Sequence, residues 1–180
     1  TAILALPFWE WASRLWGKRW AYIAGISFWA LMQIALITVS SSTDMLQILV
    51  LCILAGIGVG AAHVIPWAIL PDAVEWGEWQ TGERHEGTFY SLVTLIQKVA
   101  SSIAIPLTLL LLEVTGYVPN AAQQPPEALW GIRIVIGPIP AVLLCISIII
   151  AFLYPLNRDR YAQIVQELES RRARHHVEIV

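Results

Sequence analysis

Four long runs of apolar residues restrict this chain to a narrow set of folds. A helix needs about 20 apolar residues to cross the roughly 30 Å of hydrocarbon in a bilayer. Four segments meet this requirement, and Lys98 is the one lysine, arginine or carboxylate within them. We therefore predict an all-α membrane protein whose transmembrane region covers residues 1–155, with Thr1 to Trp9 as the end of an earlier, partial helix. The predicted spans are residues 20–39, 45–70, 88–112 and 134–154.

The composition disfavours the soluble classes of protein. Hydrophobic residues make up 57% of the chain and charged residues 13%, whereas soluble domains carry roughly 25% charged residues. The net charge of −2 provides no basic field for nucleic acid. Cys52 and Cys145 both lie in apolar runs and cannot build a disulfide framework. The spans contain no nucleophile–base pair and no set of metal ligands, so we expect neither an enzyme nor a cofactor.

Lysine and arginine are distributed unevenly between the two ends of the predicted spans. Nine of the eleven precede the first span, separate the second from the third, or follow the fourth, whereas the opposite loops hold only Arg133. Loops rich in these residues stay on the cytoplasmic side of a membrane. We therefore expect an integral protein of a cell membrane, namely a bacterial inner (plasma) membrane, with residues 156–180 as a cytoplasmic tail. The nine are Arg14, Lys18, Arg19, Arg84, Arg158, Arg160, Arg171, Arg172 and Arg174.

The tail has its own helical pattern. Apolar residues recur at helical spacing within residues 156–174, which predicts an amphipathic surface helix. Its apolar side would consist of Tyr161, Ile164, Val165 and Leu168.

Lys98 lies where a charge is costly. It is ten residues into the third span, about 15 Å deep at 1.5 Å per residue. A lysine at this depth usually faces a bundle interior or an aqueous cavity. Polar residues share its side of the predicted helix, which favours a substrate or ion pathway; the alternative is an ion pair that serves assembly alone. This polar stripe consists of Ser91, Thr94, Gln97, Lys98, Ser101, Ser102 and Thr108.

The second span combines small residues with a proline. Three glycines at residues 56–60 would let neighbouring helices approach closely. The alternative is that these glycines form a hinge within the helix. Pro66 removes a backbone hydrogen bond, so we expect the helix to open near it. His63 and Trp67 lie on either side of this proline. His63 is a candidate either for a substrate contact or for a hydrogen-bonded residue of the core.

A charged segment runs from Asp72 to Glu86. Asp72, Glu75 and Glu78 recur every three residues and on a helix would turn slowly around one side. The simplest interpretation is a solvated cytoplasmic loop. His85 lies beside these carboxylates, but the spacing matches no zinc pattern, so we expect no metal site.

This segment begins a spaced pattern that continues through the next two spans. It contains Pro71, Asp72, Glu75, Glu78, Thr81, Gly82, Arg84, Glu86 and Gly87, then Phe89-Tyr90-Ser91, Gln97-Lys98, Gly116-Tyr117-Val118-Pro119-Asn120, Gly131-Ile132-Arg133 and Tyr154-Pro155-Leu156. The pattern resembles the glycoside–pentoside–hexuronide:cation symporters, the melibiose permease-like family of the major facilitator superfamily. The resemblance covers about residues 60–172.

An earlier motif fits the same superfamily. Gly17-Lys18-Arg19 looks like its turn between two cytoplasmic helix ends. Ser13 stands where an acidic residue often precedes the arginine, so the resemblance implies no gating salt bridge through that position.

The resemblance implies a fold and a set of cavity residues. The four spans look like the ninth to twelfth of twelve helices, and the partial helix like the end of the eighth. Lys98 matches a lysine that lines the central cavity in relatives. The other cavity candidates are Ser91, Thr94, Ser101, His63 and Trp67. The carboxylates that bind the coupling cation lie on helices that this chain lacks, so no residue here is assigned to Na+ or H+.

Two functions follow from these features. The first is the C-terminal part of a cation-coupled symporter for sugars or related glycosides, working by alternating access and inactive alone. Its partners would be the lipid bilayer, a small-molecule substrate and the missing N-terminal helices, and its cytoplasmic gate would contain Asp72, Glu75, Glu78 and Arg84. The alternative is a small four-helix membrane protein that forms an oligomeric pore or serves as an assembly subunit.

Overall fold

Seven helices account for all the regular structure in the described part of the chain. The computed structural model describes residues 1–39, 43–121, 123–156 and 158–179, with their side chains except those of Arg158 and residues 172–179. Four helical segments are long and apolar enough to cross a membrane, which confirms the predicted all-α membrane class. The helices are α1 Ala2–Trp16, α2 Lys18–Ile37, α3 Met45–Thr81, α4 Glu86–Val114, α5 Pro126–Ile136, α6 Pro138–Leu153 and α7 Arg158–Ile179.

The longest helix, α3, overturns two expectations. It runs without a break through Pro66 and Pro71 to Thr81, so it does not open at Pro66, and the segment that begins at Asp72 is not simply a loop. Neighbouring helices make prolines tolerable within such a span. Its 37 residues correspond to about 55 Å at 1.5 Å per residue, compared with about 30 Å of hydrocarbon. Asp72, Glu75 and Glu78 therefore lie on a helical extension of this span.

Two other spans differ in extent from the prediction. The partial helix does not stop at Trp9 but continues as α1 to Trp16. The fourth span begins at Pro126 and is divided at Gly137 into α5 and α6. Pro138, the first residue of α6, has no N–H to donate back into α5, which explains the division. The two helices together still form one candidate span of 28 residues.

Helix α2 lies at the centre of the bundle and contacts α1, α3, α5 and α6. Its buried residues contribute to two apolar clusters, one with α1 and α3 and the other reaching Leu144 of α6. Helix α4 differs from the others because, within the described residues, it contacts only α3 and α5 and has no buried residue. One side of the bundle is therefore built around α2, and the other presents an almost uncovered helix.

The glycines of α3 allow close helix packing, as one of the two sequence interpretations proposed. A Cβ atom added to Gly58 would lie 2.6 Å from Cβ of Trp29 on α2. One added to Gly60 would lie 3.2 Å from Cβ of Ala5 on α1. Trp9 Nε1 donates a hydrogen bond to the carbonyl of Ile57 over 2.7 Å, which ties α1 to the same stretch of α3.

We expect Gly58→Ala to lower the stability of the bundle. The added methyl group forces α2 and α3 apart, and overpacking of this kind costs about 1–3 kcal/mol. Gly87→Ala is the matched control, because it makes the same change in a helix where nothing lies within 4 Å of the new Cβ. Thermal unfolding in detergent should give a lower midpoint for Gly58→Ala than for Gly87→Ala. Equal midpoints would show that the glycines do not set this spacing.

Candidate functional site

The strongest polar cluster lies at one end of the bundle, where the α1–α2 turn, the C-terminal part of α3 and α7 meet. We call this the charged end and define it by Lys18, Asp72, Glu75, Glu78 and Tyr161. Gly17 opens the turn with a φ of 84°, a backbone conformation that suits glycine. Lys18 can therefore begin α2 directly after α1 ends.

An ion pair between Lys18 and Asp72 forms the centre of the charged end. Lys18 Nζ lies 2.7 Å from each carboxylate oxygen of Asp72 and donates to the carbonyl of Ala68 over the same distance. Asp72 is buried, with 8% of its surface exposed, whereas the Lys18 side chain is 36% exposed. The pair joins the first turn of α2 to the extension of α3, across 54 residues of sequence.

The two following carboxylates have different partners. The Tyr161 hydroxyl of α7 donates to Glu75. Arg84, in the turn after α3, lies 3.2 Å from Glu78 and 3.0 Å from Glu86. On a helix, each step of three residues rotates the side-chain direction by about −60° around the axis. The three carboxylates of α3 therefore reach α2, α7 and the α3–α4 turn in succession. Of the four predicted gate residues, Glu78 and Arg84 contact each other, whereas Asp72 and Glu75 have their partners on α2 and α7.

The charged end alters the ionisation of several side chains. Burial raises the pKa of the Tyr154 hydroxyl to about 12, with a further contribution from the charge of Asp72. Burial also raises the pKa of Tyr161, and its hydrogen bond to Glu75 adds to this effect. The hydrogen bond to Glu86 is the main cause of a raised pKa for Arg84. Both tyrosines therefore remain neutral hydrogen-bond donors at physiological pH.

Helix α7 packs on the extension of α3. Ile164 and Leu168 are buried with Leu156, against Trp76 and Trp79 of α3. The predicted apolar side of the tail is therefore found, and it covers α3. Polar contacts fix the register: Trp79 Nε1 donates to Glu167 over 2.8 Å, and Arg171 donates to the Trp79 carbonyl over 3.2 Å. Asn157 and Val180, within the predicted tail, lie outside the described residues.

A cavity of about 620 Å³ adjoins the Lys18–Asp72 pair. It lies between the α1–α2 turn, the end of α6 and the start of α7. Its lining residues are Ser13, Arg14, Trp16, Gly17, Lys18, Arg19, Trp20, Asp72, Tyr154, Leu156, Asp159 and Tyr161.

The polar stripe of the third span lies along α4 and is mostly exposed. Ser91, Lys98 and Ser101 are exposed, and Thr94 is half-buried. Three of the stripe's hydroxyls donate to backbone carbonyls of their own helix. Among the described residues, Lys98 has no carboxylate within ion-pair distance. The described helices of this chain therefore leave most of the stripe uncovered, and its place in a cavity stays a prediction.

The two candidates on α3 lie one turn apart, and one of them contacts the start of α4. His63 is exposed, and its Nδ1 lies 3.0 Å from the carbonyl of Val59. Trp67, one turn later, stacks on Tyr90 with ring centroids 6.3 Å apart. Because Tyr90 precedes Ser91, Trp67 is held beside the beginning of the polar stripe. No contact of the described residues brings His63 to the stripe, and its role stays a prediction.

Sequence reasoning misses two members of the charged end, Lys18 and Tyr161. It places Lys18 in a motif without a partner and Tyr161 on the apolar side of the tail. The signal for Lys18 was present in the Gly17-Lys18-Arg19 motif. Only the fold shows that Asp72 pairs with it, since spacing cannot reveal contacts between distant segments.

The fold and the charged end define a polytopic α-helical membrane protein with a cluster of ion pairs at one end. The sequence family described as MFS/sugar transport protein matches residues 1–158. The chain belongs to this family, within the glycoside–pentoside–hexuronide:cation symporters of the major facilitator superfamily. It is a family of transporters rather than enzymes.

Individual relatives agree with this assignment. The chain is 34% identical to an uncharacterized symporter of Synechocystis sp. over 98% of its length, and 41% identical to the uncharacterized symporter YjmB of Bacillus subtilis over 68%. It is 33% identical to the sodium-dependent lysophosphatidylcholine symporter 1-B of Danio rerio over 89%. The chain spans 27–33% of the length of these relatives.

Proposed function

We propose that the chain forms the C-terminal part of a cation-coupled symporter for a sugar or related glycoside. The match of residues 1–158 to the MFS/sugar transport family carries this proposal. The relatives named as symporters support coupled transport, and the family description supports a sugar-like substrate. The helices here would correspond to the end of the eighth helix and to the ninth to twelfth. The family match favours this function over the four-helix pore.

In this proposal the polar stripe of α4 faces the transport cavity. A lysine in mid-membrane needs water, substrate or an anionic partner, and the described helices of this chain supply no carboxylate to Lys98. The rest of the transporter would supply that partner and cover the polar stripe. Trp67, held against Tyr90, would border the same cavity.

We also propose that the charged end is the cytoplasmic gate. The positive-inside rule supports a cytoplasmic position, because Arg14, Lys18 and Arg19 lie there. The Lys18–Asp72 pair and the Arg84 contacts would hold this end in one state and separate in the other. Such pairs are modest when exposed, so they would tune the equilibrium between states. Labelling of Ser170→Cys from the extracellular side alone would contradict this orientation.

Uptake measurements test the function directly. We expect the full-length transporter that contains this chain, reconstituted in vesicles, to take up a labelled sugar in a saturable manner when a sodium or proton gradient is imposed. The residues expressed alone should give no uptake, because alternating access needs two halves around one site. Uptake that is independent of both gradients would contradict cation coupling. Gradient-driven uptake by the 180-residue chain alone would contradict the proposal that this chain is only one part of the transporter.

A further inference from the structure

The cavity beside the Lys18–Asp72 pair lies at the edge of the membrane. Lys18 begins one candidate span and Leu153 ends another, so the cavity is level with the boundary between hydrocarbon and headgroups. Trp16 and Trp20 line it, with 54% and 56% of their surfaces exposed. Tryptophan favours the interfacial level of a bilayer. Phe152, 48% exposed, packs edge-to-face on Trp20 with ring centroids 5.9 Å apart and extends this apolar rim.

Cations outnumber carboxylates in the lining. Arg14, Lys18 and Arg19 contribute three positive charges, and Asp72 and Asp159 two negative ones. The Lys18–Asp72 pair neutralises itself. Among the described residues, the contact that holds Arg14 is an exposed ion pair with Glu10, of a kind that contributes little. The lining can therefore accept an anion.

The cavity also contains unused hydrogen-bonding capacity. The hydroxyl of Tyr154 is buried and, among the described residues, has no hydrogen-bond partner. A buried polar group without a partner costs free energy that a bound acceptor would recover. The Arg19 guanidinium, which donates to the Phe152 carbonyl over 2.6 Å, lies at the same wall of the cavity.

We propose that this cavity binds the headgroup of an anionic phospholipid, with the phosphodiester between Arg14, Arg19 and Tyr154 and the acyl chains along Trp20 and Phe152. Basic pockets at the cytoplasmic ends of membrane helices suit such headgroups. The exposed apolar rim distinguishes a lipid from a soluble anion, because only a lipid covers it. This site is separate from the proposed transport cavity, since no residue of α4 or α5 lines it.

Photochemical cross-linking tests the proposal. The full-length protein is placed in phosphatidylcholine vesicles that contain a small fraction of phosphatidylglycerol with a photoreactive group on its headgroup glycerol. We expect adducts on the segments 13–20 and 152–161. Arg14→Gln should lower the adduct yield about tenfold at limiting probe, because it removes a charge-assisted hydrogen bond to the phosphodiester. Tyr154→Phe should lower it by a smaller factor.

Arg160→Gln is the matched control, since Arg160 is an exposed cation of α7 that does not line the cavity. This variant should leave the adduct yield within about twofold of the native value. Equal losses in the Arg14 and Arg160 variants would show that general surface charge causes the effect and would overturn the site. Adducts spread evenly over the apolar helices would also overturn it. Suppression of labelling by inorganic phosphate, but not by unlabelled phosphatidylglycerol, would identify a phosphate-ion site and overturn the lipid.

Discussion

Lys98→Ala in the full-length transporter is expected to abolish coupled sugar uptake. In the proposed arrangement its ammonium group pairs with a carboxylate or with substrate inside the cavity. Loss of one partner of a buried charge pair costs about 2–5 kcal/mol, so uptake should fall by about 30-fold or more. Membrane insertion should not suffer, because removing a lysine from the centre of a helix eases it by roughly 2.5–3.5 kcal/mol.

The control for this variant follows from the structure. Ser147 of α6 is not a neutral choice, because its hydroxyl lies 2.6 Å from that of Tyr22 and links α6 to α2. Cys145→Ala is a better control, because Cys145 also lies on α6 and its side chain is exposed. Normal uptake and cation dependence in Lys98→Ala, at equal expression, would reduce Lys98 to an assembly residue.

The membrane spans could be predicted from sequence because hydrophobic length is a local property. A run of 20 uncharged residues such as 20–39 has few alternatives to a membrane helix. The ends of the helices were less predictable. Charged residues after Leu70 indicated a loop, yet α3 continues to Thr81 because tertiary contacts stabilise its extension. Trp76 and Trp79 of this extension pack against α7.

Several charged residues of the candidate site could be predicted from the sequence, but their contact partners could not. The pattern of Asp72, Glu75 and Glu78 predicts a charged segment, and the structure places all three in contacts at one end; their role in a gate stays a prediction. Their partners come from three different segments, and sequence spacing contains no information about such distances. The stripe around Lys98 remains a prediction for a related reason: its neighbours in the proposed transporter lie outside this chain.

Reversing the charge of Asp72 should have the second large effect, a shift in the equilibrium between transporter states. Asp72→Lys places two ammonium groups together in a half-buried site. Exposed pairs contribute less than about 1 kcal/mol and buried pairs cost about 3–5 kcal/mol to break. Lys18 is 36% exposed and Asp72 is buried, so we expect an intermediate cost of about 2 kcal/mol. At 1.36 kcal/mol per factor of ten, this shifts the equilibrium between transporter states about 30-fold.

Reversing both charges together tests whether the ion pair acts as a gate. Lys18→Asp combined with Asp72→Lys restores opposite charges at the same two positions and should recover most of the uptake that either single variant loses. Arg160→Asp reverses a charge on α7 outside the cavity and should have little effect. Alkylation of Ser13→Cys, at a buried position of the cavity wall, should be faster in Asp72→Lys than in the native background. If the double variant is no better than the single ones and alkylation is unchanged, the ion pair fixes the fold of the α1–α2 turn and does not control access to the charged end.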